Sequence, residues 1–375
     1  MTVFRPESAA FIQQQLTAAC EDGSRSLTLT GNYEIDAPIR LPSDFTLILN
    51  NCHLRMADGT FCNMLVNEHC RTEEGLTPAG TDRNIRILGI GKAILDGGEY
   101  NGLSERNSLK DGMPHISHNS LLLFINVDGF SISDLHLRDQ RWWAMNFIYS
   151  RNGHIRNIDF RSNPTWVSQD GTRYDHLSSR GYGAQESADW SYNGVLVKNS
   201  DGIDLRSGCH NILIENITGF TEDDTIALTG LDGRLEQMYK VEGLNPDIRN
   251  VTIRNVMSSA FCANIRLLNQ SGIRLYNILI DGMTDTSADS PYMDRGGSGI
   301  RIGDTHLYGT RHATPDETFN ITIRNVYSRA ATVMRIAGAM KDCLFENIRA
   351  FDAVDSAATL LENNASVDIT PFWKP

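Results

Sequence analysis

Ile323-Arg324-Asn325-Val326 returns 22 residues later as Phe345-Glu346-Asn347-Ile348. The phrase is an apolar residue, any residue, Asn or Asp, then another apolar residue. It also occurs as Ile132-Ser133-Asp134-Leu135, Ile155-Arg156-Asn157-Ile158, Ile214-Glu215-Asn216-Ile217, Ile253-Arg254-Asn255-Val256 and Leu275-Tyr276-Asn277-Ile278, with a degenerate copy, Ile87-Leu88-Gly89-Ile90, upstream. Copies stand 23 residues apart at 132 and 155, and 22 apart at 253 and 275 and at 323 and 345. The other gaps, 59, 39 and 48 residues, need insertions or extra turns. A period near 22 built from short alternating strands is a solenoid signature. The units are rich in Ile, Val, Thr and Asn, which suits strands better than helical repeats. Asn tolerates the left-handed backbone of a tight corner, and stacked Asn side chains can bond from coil to coil. The expectation is an all-β, single-domain right-handed parallel β-helix over 1–375.

Both ends of a solenoid expose strand edges that need covering. Residues 7–20 read as an amphipathic helix with Ile12, Leu16 and Ala19 on one side, so 1–25 is expected to cap the N-terminal end. The tail, 350–375, ending Thr-Pro-Phe-Trp-Lys-Pro, is expected to cap the other. No linker or second domain is visible. Apolar residues make up 41% and charged residues 21%, which fits a packed core. The net charge of −12 disfavours nucleic acid as a partner, because a polyanion needs a basic surface. No stretch approaches the roughly 18 apolar residues of a membrane span, and the N-terminus lacks an apolar run of signal-peptide length. Seven scattered cysteines, an odd number without metal-ligand spacing, suggest free thiols in a reducing compartment. A cytoplasmic location is therefore expected.

A second strand in each coil can be aligned. Gly202-Ile203-Asp204-Leu205, Thr225-Ile226-Ala227-Leu228, Asn264-Ile265-Arg266-Leu267 and Gly299-Ile300-Arg301-Ile302 place Ile and Leu inward. The residues between them then point outward as one column, Asp204, Ala227, Arg266 and Arg301. The residue before each segment makes a second column, Asp201, Asp224, Ala263 and Ser298, with Trp143 one coil earlier, below Asp201. Excess residues fall after this strand near 229–249 and 303–319, and before it near 159–196 and 282–297. Long loops on both sides of one strand wall in a cleft.

Asp201 and Asp224 are 23 residues, one coil, apart, and Asp223 adjoins Asp224. Their strands should lie about 4.8 Å from each other. Asp is common in turns, so one such residue would say little. Three carboxylates brought together cannot all ionise cheaply, and one is expected to hold its proton near neutral pH. A protonated acid beside an ionised base is what glycoside hydrolysis uses. Clustered carboxylates also suit calcium, which stays open as an alternative. Trp143 is a candidate for stacking on a sugar ring, and Asp204 for orienting Arg266. Asp304, His306, Tyr308 and His312 could meet substrate from their loop. Trp166, Tyr174, His176, Arg180, Tyr182 and Trp190 give the 159–196 insertion the makeup of a lid that blocks one end of a groove, which favours exo action on short oligosaccharides.

These motifs resemble glycoside hydrolase family 28, the polygalacturonases and their relatives, over roughly residues 85–350. Asn199-Ser200-Asp201-Gly202 resembles the family's Asn-Thr-Asp-Gly segment, and Glu222-Asp223-Asp224-Thr225-Ile226-Ala227 resembles its paired-aspartate segment one coil on. Arg141-Trp142-Trp143 is similar to its Ser-Pro-x-Trp stretch. The resemblance implies an inverting hydrolase of an oligosaccharide, without a cofactor or metal. Asp223 would be the general acid, Asp201 and Asp224 would hold and deprotonate water, and Asn199, Asp204, Arg266 and Arg301 would line the substrate. Two departures bear on specificity. The family's Gly-His-Gly falls on Cys262-Ala263-Asn264, and its Arg-Ile-Lys on Arg301-Ile302-Gly303, so a histidine and a lysine that grips uronate are absent, with Arg266 able to replace the charge. A β-helix lyase, epimerase or fructotransferase, and a non-catalytic binding β-helix such as a tailspike, are the competing readings. The lysine-poor, aspartate-rich face argues against a lyase.

Overall fold

The computed structural model describes residues 2–98, 118–140, 143–162, 166–168, 173–174, 195–196, 201–232, 234–290, 295–303, 311–351, 357–361 and 367–368. Its strands form two long parallel sheets, one of twelve strands and one of ten among the described residues, in an order that alternates along the chain. The chain is a right-handed parallel β-helix. Each coil runs through a long strand of the first sheet, turns, and returns through a shorter strand of the second. His210–Thr221 leads to Ile226–Gly230, Ile248–Ala260 to Ala263–Asn269, and Leu275–Asp285 to Ser298–Gly303.

The recurring apolar residues stack in register. Ile132, Ile155, Ile214, Ile253, Ile280, Ile323 and Phe345 form one inward column. All of them are buried. From the second sheet, Met145, Ile203, Ile226, Ile265, Ile300 and Met334 form another. Side chains of one type meeting at strand spacing fill the interior without voids, which is the condition for a stable core. Where a large ring enters a column, the next coil gives way: a Cβ on Gly153 would lie 2.0 Å from the Phe130 ring.

The polar phrase position forms two ladders, not one. Each long strand from Val127–Arg138 to Met340–Ala350 carries two left-handed bends five residues apart, as at Asn211 and Asn216 (φ 57° at both) or Asn250 and Asn255 (φ 55° and 52°). Along one ladder Asn211, Asn250, Asn277 and Asn320 each donate from Nδ2 to Oδ1 of the preceding coil's Asn at 2.6–3.0 Å. Along the other, Asn216 donates to Asn157 at 2.9 Å and Asn255 to Asn216 at 2.7 Å. This corrects the expected alignment of the phrase at 275. Leu275 pairs with Ile248, and Ile280 is the partner of Ile253, so the coil step there is 27 residues and Asn277 belongs to the first ladder. Gly282 (φ 88°) takes the left-handed bend opposite Asn255, and Asp281 accepts in its place from Asn325 at 2.8 Å.

The helix Ser8–Glu21 closes the N-terminal end, with Ile12, Leu16 and Ala19 buried in the core cluster. The Gln13 side-chain amide accepts from Arg40 N at 2.9 Å and donates to Arg40 O at 3.2 Å. One side chain thus occupies both backbone groups of a strand that has no earlier coil to pair with. Within 350–375, Ala357–Leu361 and Val367–Asp368 each add a strand to the C-terminal end of one sheet; Thr370 to Pro375 lie outside the described residues. The stretches 162–200, 231–247, 286–297 and 304–317, where insertions are expected, lie between consecutive described strands of the two sheets.

Replacing Asn216 by Ala removes two ladder bonds and places a Cβ side chain without a polar partner in the left-handed region. The expected loss is about 1–2 kcal/mol, read as a lower urea midpoint. Asn216→Gly, which keeps the bend but loses the ladder, should recover part of it; an unchanged midpoint in Asn216→Ala would refute the ladder's contribution.

Candidate active site

The second sheet aligns the polar residues as columns. Asp204 pairs with Ala227, Ala227 with Arg266, and Arg266 with Arg301; Arg335 continues the column one coil further. Asp201 sits opposite Trp143, and Asp224 N donates to Asp201 Oδ1 at 3.0 Å, tying the Asp201 carboxyl to the backbone of the next coil. Gly202 follows Asp201 because the next coil passes close by: a Cβ there would lie 2.3 Å from Thr225 O. Asp223 lies in the turn entering the following strand. Thr221 and Thr225 close that turn by a hydroxyl bond of 3.0 Å, and Thr221 Oγ1 also donates to Asp223 O at 3.4 Å.

Asp201, Asp223 and Asp224 are brought together. Carboxyl oxygens of Asp223 and Asp224 and the Cys262 sulfur all lie within 4.8 Å of one another. Asp223 is half-buried, whereas Asp201 and Asp224 are buried. Burial pushes the Asp201 carboxyl well above its ordinary range, and the charges of Asp204, Asp223 and Asp224 push it further. Burial likewise raises Asp224, to about 7, against the opposing pull of the Arg266 guanidinium. The cluster therefore retains protons that isolated carboxylates would have lost.

Two cations flank the acids. Arg266, buried, places Nη1 3.7 Å from Asp224 Oδ2. Arg266 and Arg301 each direct Nη1 at the Cys262 sulfur, at 3.6 and 3.5 Å, and the Cys262 thiol hydrogen-bonds Asp224. Burial and the neighbouring aspartates hold that thiol protonated, far above its usual range. Two guanidiniums against the sulfur oppose a further positive charge at this trio.

Two sequence-derived candidates behave differently from expectation. Trp143 is 8% exposed, and the Arg206 guanidinium lies 4.0 Å from its ring centroid. The face expected to meet a sugar carries a guanidinium here. Asp204, 1% exposed, hydrogen-bonds Asp201 and lies 3.7 Å from Arg206, so a cationic partner stands at the end of its own strand, nearer in the fold than Arg266 two column steps away. Arg206 and its second partner, Glu236 at 2.6 Å, were not among the candidates, nor was Cys262 as a site residue. Arg206 shares the two-residue period of Asp204 and was open to detection. Glu236 sits on the short helix Arg234–Met238 inside an aperiodic insertion and leaves no such signal. Asn199, Asp304, His306 and Tyr308 lie outside the described residues, as do His176, Arg180, Tyr182 and Trp190 and the side chains of Trp166 and Tyr174. His312 is described and exposed.

No protein-family model matches this chain, and no curated protein sequence matches it. Among solved structures, the polygalacturonase of Erwinia carotovora ssp. carotovora is similar with a TM-score of 0.55 at 14% identity, over 98% of this chain and 96% of that one. A mutant tailspike protein of E. coli bacteriophage HK620, in complex with a pentasaccharide, is similar with a TM-score of 0.58 at 10% identity, over 98% of this chain and 65% of that one. The chain thus spans somewhat under two thirds of the tailspike's length. At these identities the likeness establishes the parallel β-helix.

The raised carboxyls make a prediction about stability. A group whose folded pKa lies above its unfolded value favours the fold below about pH 4, and that contribution is lost as pH rises through the folded value. Asp201→Asn keeps an acceptor for Asp224 N and removes the charge. It should melt above wild type at pH 8, with the difference shrinking toward zero near pH 4. A melting difference independent of pH would show that Asp201 is not held protonated by its surroundings.

Proposed function

We propose that this chain is an inverting glycoside hydrolase of the polygalacturonase-like kind, acting on a short oligosaccharide from one end. The observation that carries the reading is the convergence of Asp201, Asp223 and Asp224 from successive coils into one cluster flanked by Arg266 and Arg301. The resemblance of Asn199–Gly202 and Glu222–Ala227 to family 28 supports it independently, as does the polygalacturonase among the similar structures. The seven free thiols fit the expected reducing, cytoplasmic setting.

In this mechanism Asp223 is the general acid. It is the most exposed of the three and stands at the strand entrance, where a glycosidic oxygen can approach. Asp201 and Asp224 hold the water on the opposite face of the sugar, and Asp224, which ionises near neutrality, takes its proton. Inversion requires acid and base carboxyls about 6.5–9.5 Å apart, wide enough to admit that water. Among the described residues Asp224 Oδ1 is buried without a protein hydrogen bond, so it is an acceptor that a water admitted to the cluster would satisfy. Arg301, half-buried above the cluster, is placed to bind a hydroxyl or carboxylate of the sugar.

Reducing-sugar release from a panel of plant and microbial oligosaccharides tests the activity, and NMR of the first-formed anomer tests inversion. Asp223→Asn should keep the fold and lose at least about 10²-fold in turnover, the low end for general acid catalysis. Near-normal turnover would remove Asp223 from that role, and an unsaturated product would favour a lyase. EDTA should leave the rate unchanged; a large loss would restore the calcium reading. Because the buried base must be ionised to act, and Asp224 is raised to about 7, kcat/KM should fall as pH drops below neutrality.

A further inference from the structure

Arg206 is one of the most confined charges in the molecule. Its side chain is 5% exposed, its Nη1 donates to Glu236 Oε1 at 2.6 Å, its Nη2 lies 3.7 Å from Asp204 Oδ1, and its guanidinium covers the Trp143 ring at 4.0 Å. Glu236 is as buried as its partner, with 7% of its side chain exposed. A chain of contacts therefore runs from the 231–247 insertion into the site: Glu236 to Arg206, Arg206 to Asp204, Asp204 to Asp201, and Asp201 to the backbone of Asp224. Glu236 and Trp143 fix two sides of the guanidinium, so its position does not rest on the acids it faces alone.

We infer that Arg206 is a positioning residue of the catalytic cluster: it holds the negative charge of the Asp201–Asp204 pair on Asp204, and Glu236 sets how much of its charge reaches that pair. The inference rests on the hydrolase reading for its kinetic consequence, though not for its electrostatic one. Two hydrogen-bonded buried carboxyls share a proton, and a fixed cation beside one of them decides which keeps the charge. The other charged groups acting on Asp204 are Asp201, Asp223 and Asp224, all of one sign, with Arg266 and Arg301 acting on Asp224. Among the described residues Arg206 is the cation whose contact with the pair is seen, at Asp204, and Glu236 is the anion that competes for it.

The two partners should move the acid limb of the pH profile in opposite directions. Arg206→Met removes the cation and should shift the limb of kcat/KM upward by about one pH unit, the low end for an opposite charge within 4–6 Å. Glu236→Gln frees the cation and should shift the limb downward. Removing one partner of a buried pair is destabilising, so the double variant Arg206→Met/Glu236→Gln, which leaves neither charge without its partner, keeps the comparison available if Arg206→Met does not fold; its limb should lie above that of Glu236→Gln. Limbs that stay at the wild-type pH, or that move the same way in Arg206→Met and Glu236→Gln, would overturn the inference. Titration of the carboxyl carbons in 13C-aspartate-labelled wild type and Glu236→Gln needs no substrate. If the most basic aspartate titrates at lower pH in Glu236→Gln, the inference stands even where every oligosaccharide is refused and the hydrolase reading falls; if its titration does not move, the inference falls even in an active enzyme.

Discussion

A parallel coil has to come back to the same side of the molecule about 4.8 Å further along the axis, and both the core and the site follow from that return. Inside, it sets Ile on Ile through seven coils, from Ile132 to Phe345. At the bends it requires left-handed backbone, which costs a residue with a Cβ roughly 1–2 kcal/mol. Asn meets that cost best because its amide both accepts from one coil and donates to another, so one residue type serves the bend and the stack together. Outside, the same return brings Asp201 and Asp224, remote in the chain, to a hydrogen bond of 3.0 Å.

The period made the columns legible. Asp201 with Asp224, and Asp204 with Arg266 and Arg301, follow from spacing and two-residue alternation alone, because the hydrophobic residues on either side leave a single register that buries them. The Asn phrase was less informative than it looked. From Val127 onward each long strand bends twice, five residues apart, with Asn at most bends of both kinds, so an Asn between apolar residues does not identify its ladder. Asn277 entered the wrong column for that reason, and Gly282, which satisfies the same left-handed bend, carries no Asn to mark it. The side-chain partners were less legible than the columns. Spacing puts Asp204 on the outward face but cannot tell that a residue on its own strand, Arg206, reaches it before Arg266 does. Glu236 arrives from an insertion with no period at all.

The site is a concentration of buried charge that the rest of the fold has to accommodate. Asp201, Asp204, Asp224 and Glu236 are each less than a tenth exposed, against Arg206 and Arg266 as buried cations. Desolvating ions costs several kcal/mol apiece unless partners replace the water, and here acids outnumber bases. The cluster relieves the imbalance by sharing protons among Asp201, Asp204 and Asp224, whose carboxyls burial raises together. A globular core would tend to relax around such a cluster. A solenoid does not, because the strands carrying these residues are hydrogen-bonded on both sides to coils whose own positions are set by apolar stacks. The acids are held at one strand spacing whether or not their mutual repulsion favours it.

Rigidity of that kind decides what the site is suited to. If the carboxyls could splay apart into water, each would lose both the burial and the neighbouring charges that raise it, and the cluster would hold no proton to donate or share. With the strands fixed, the protonation state is set instead by the few cations the structure admits: Arg266 against Asp224, and Arg206 against Asp204. Arg206 is held from outside the sheet by Glu236 and from below by Trp143, a residue of the preceding coil. The tryptophan's place in the column under Asp201 thereby acquires a physical role. It supplies an apolar floor on which a guanidinium can be desolvated without losing its geometry, and its ring face partly replaces the water that the cation has given up.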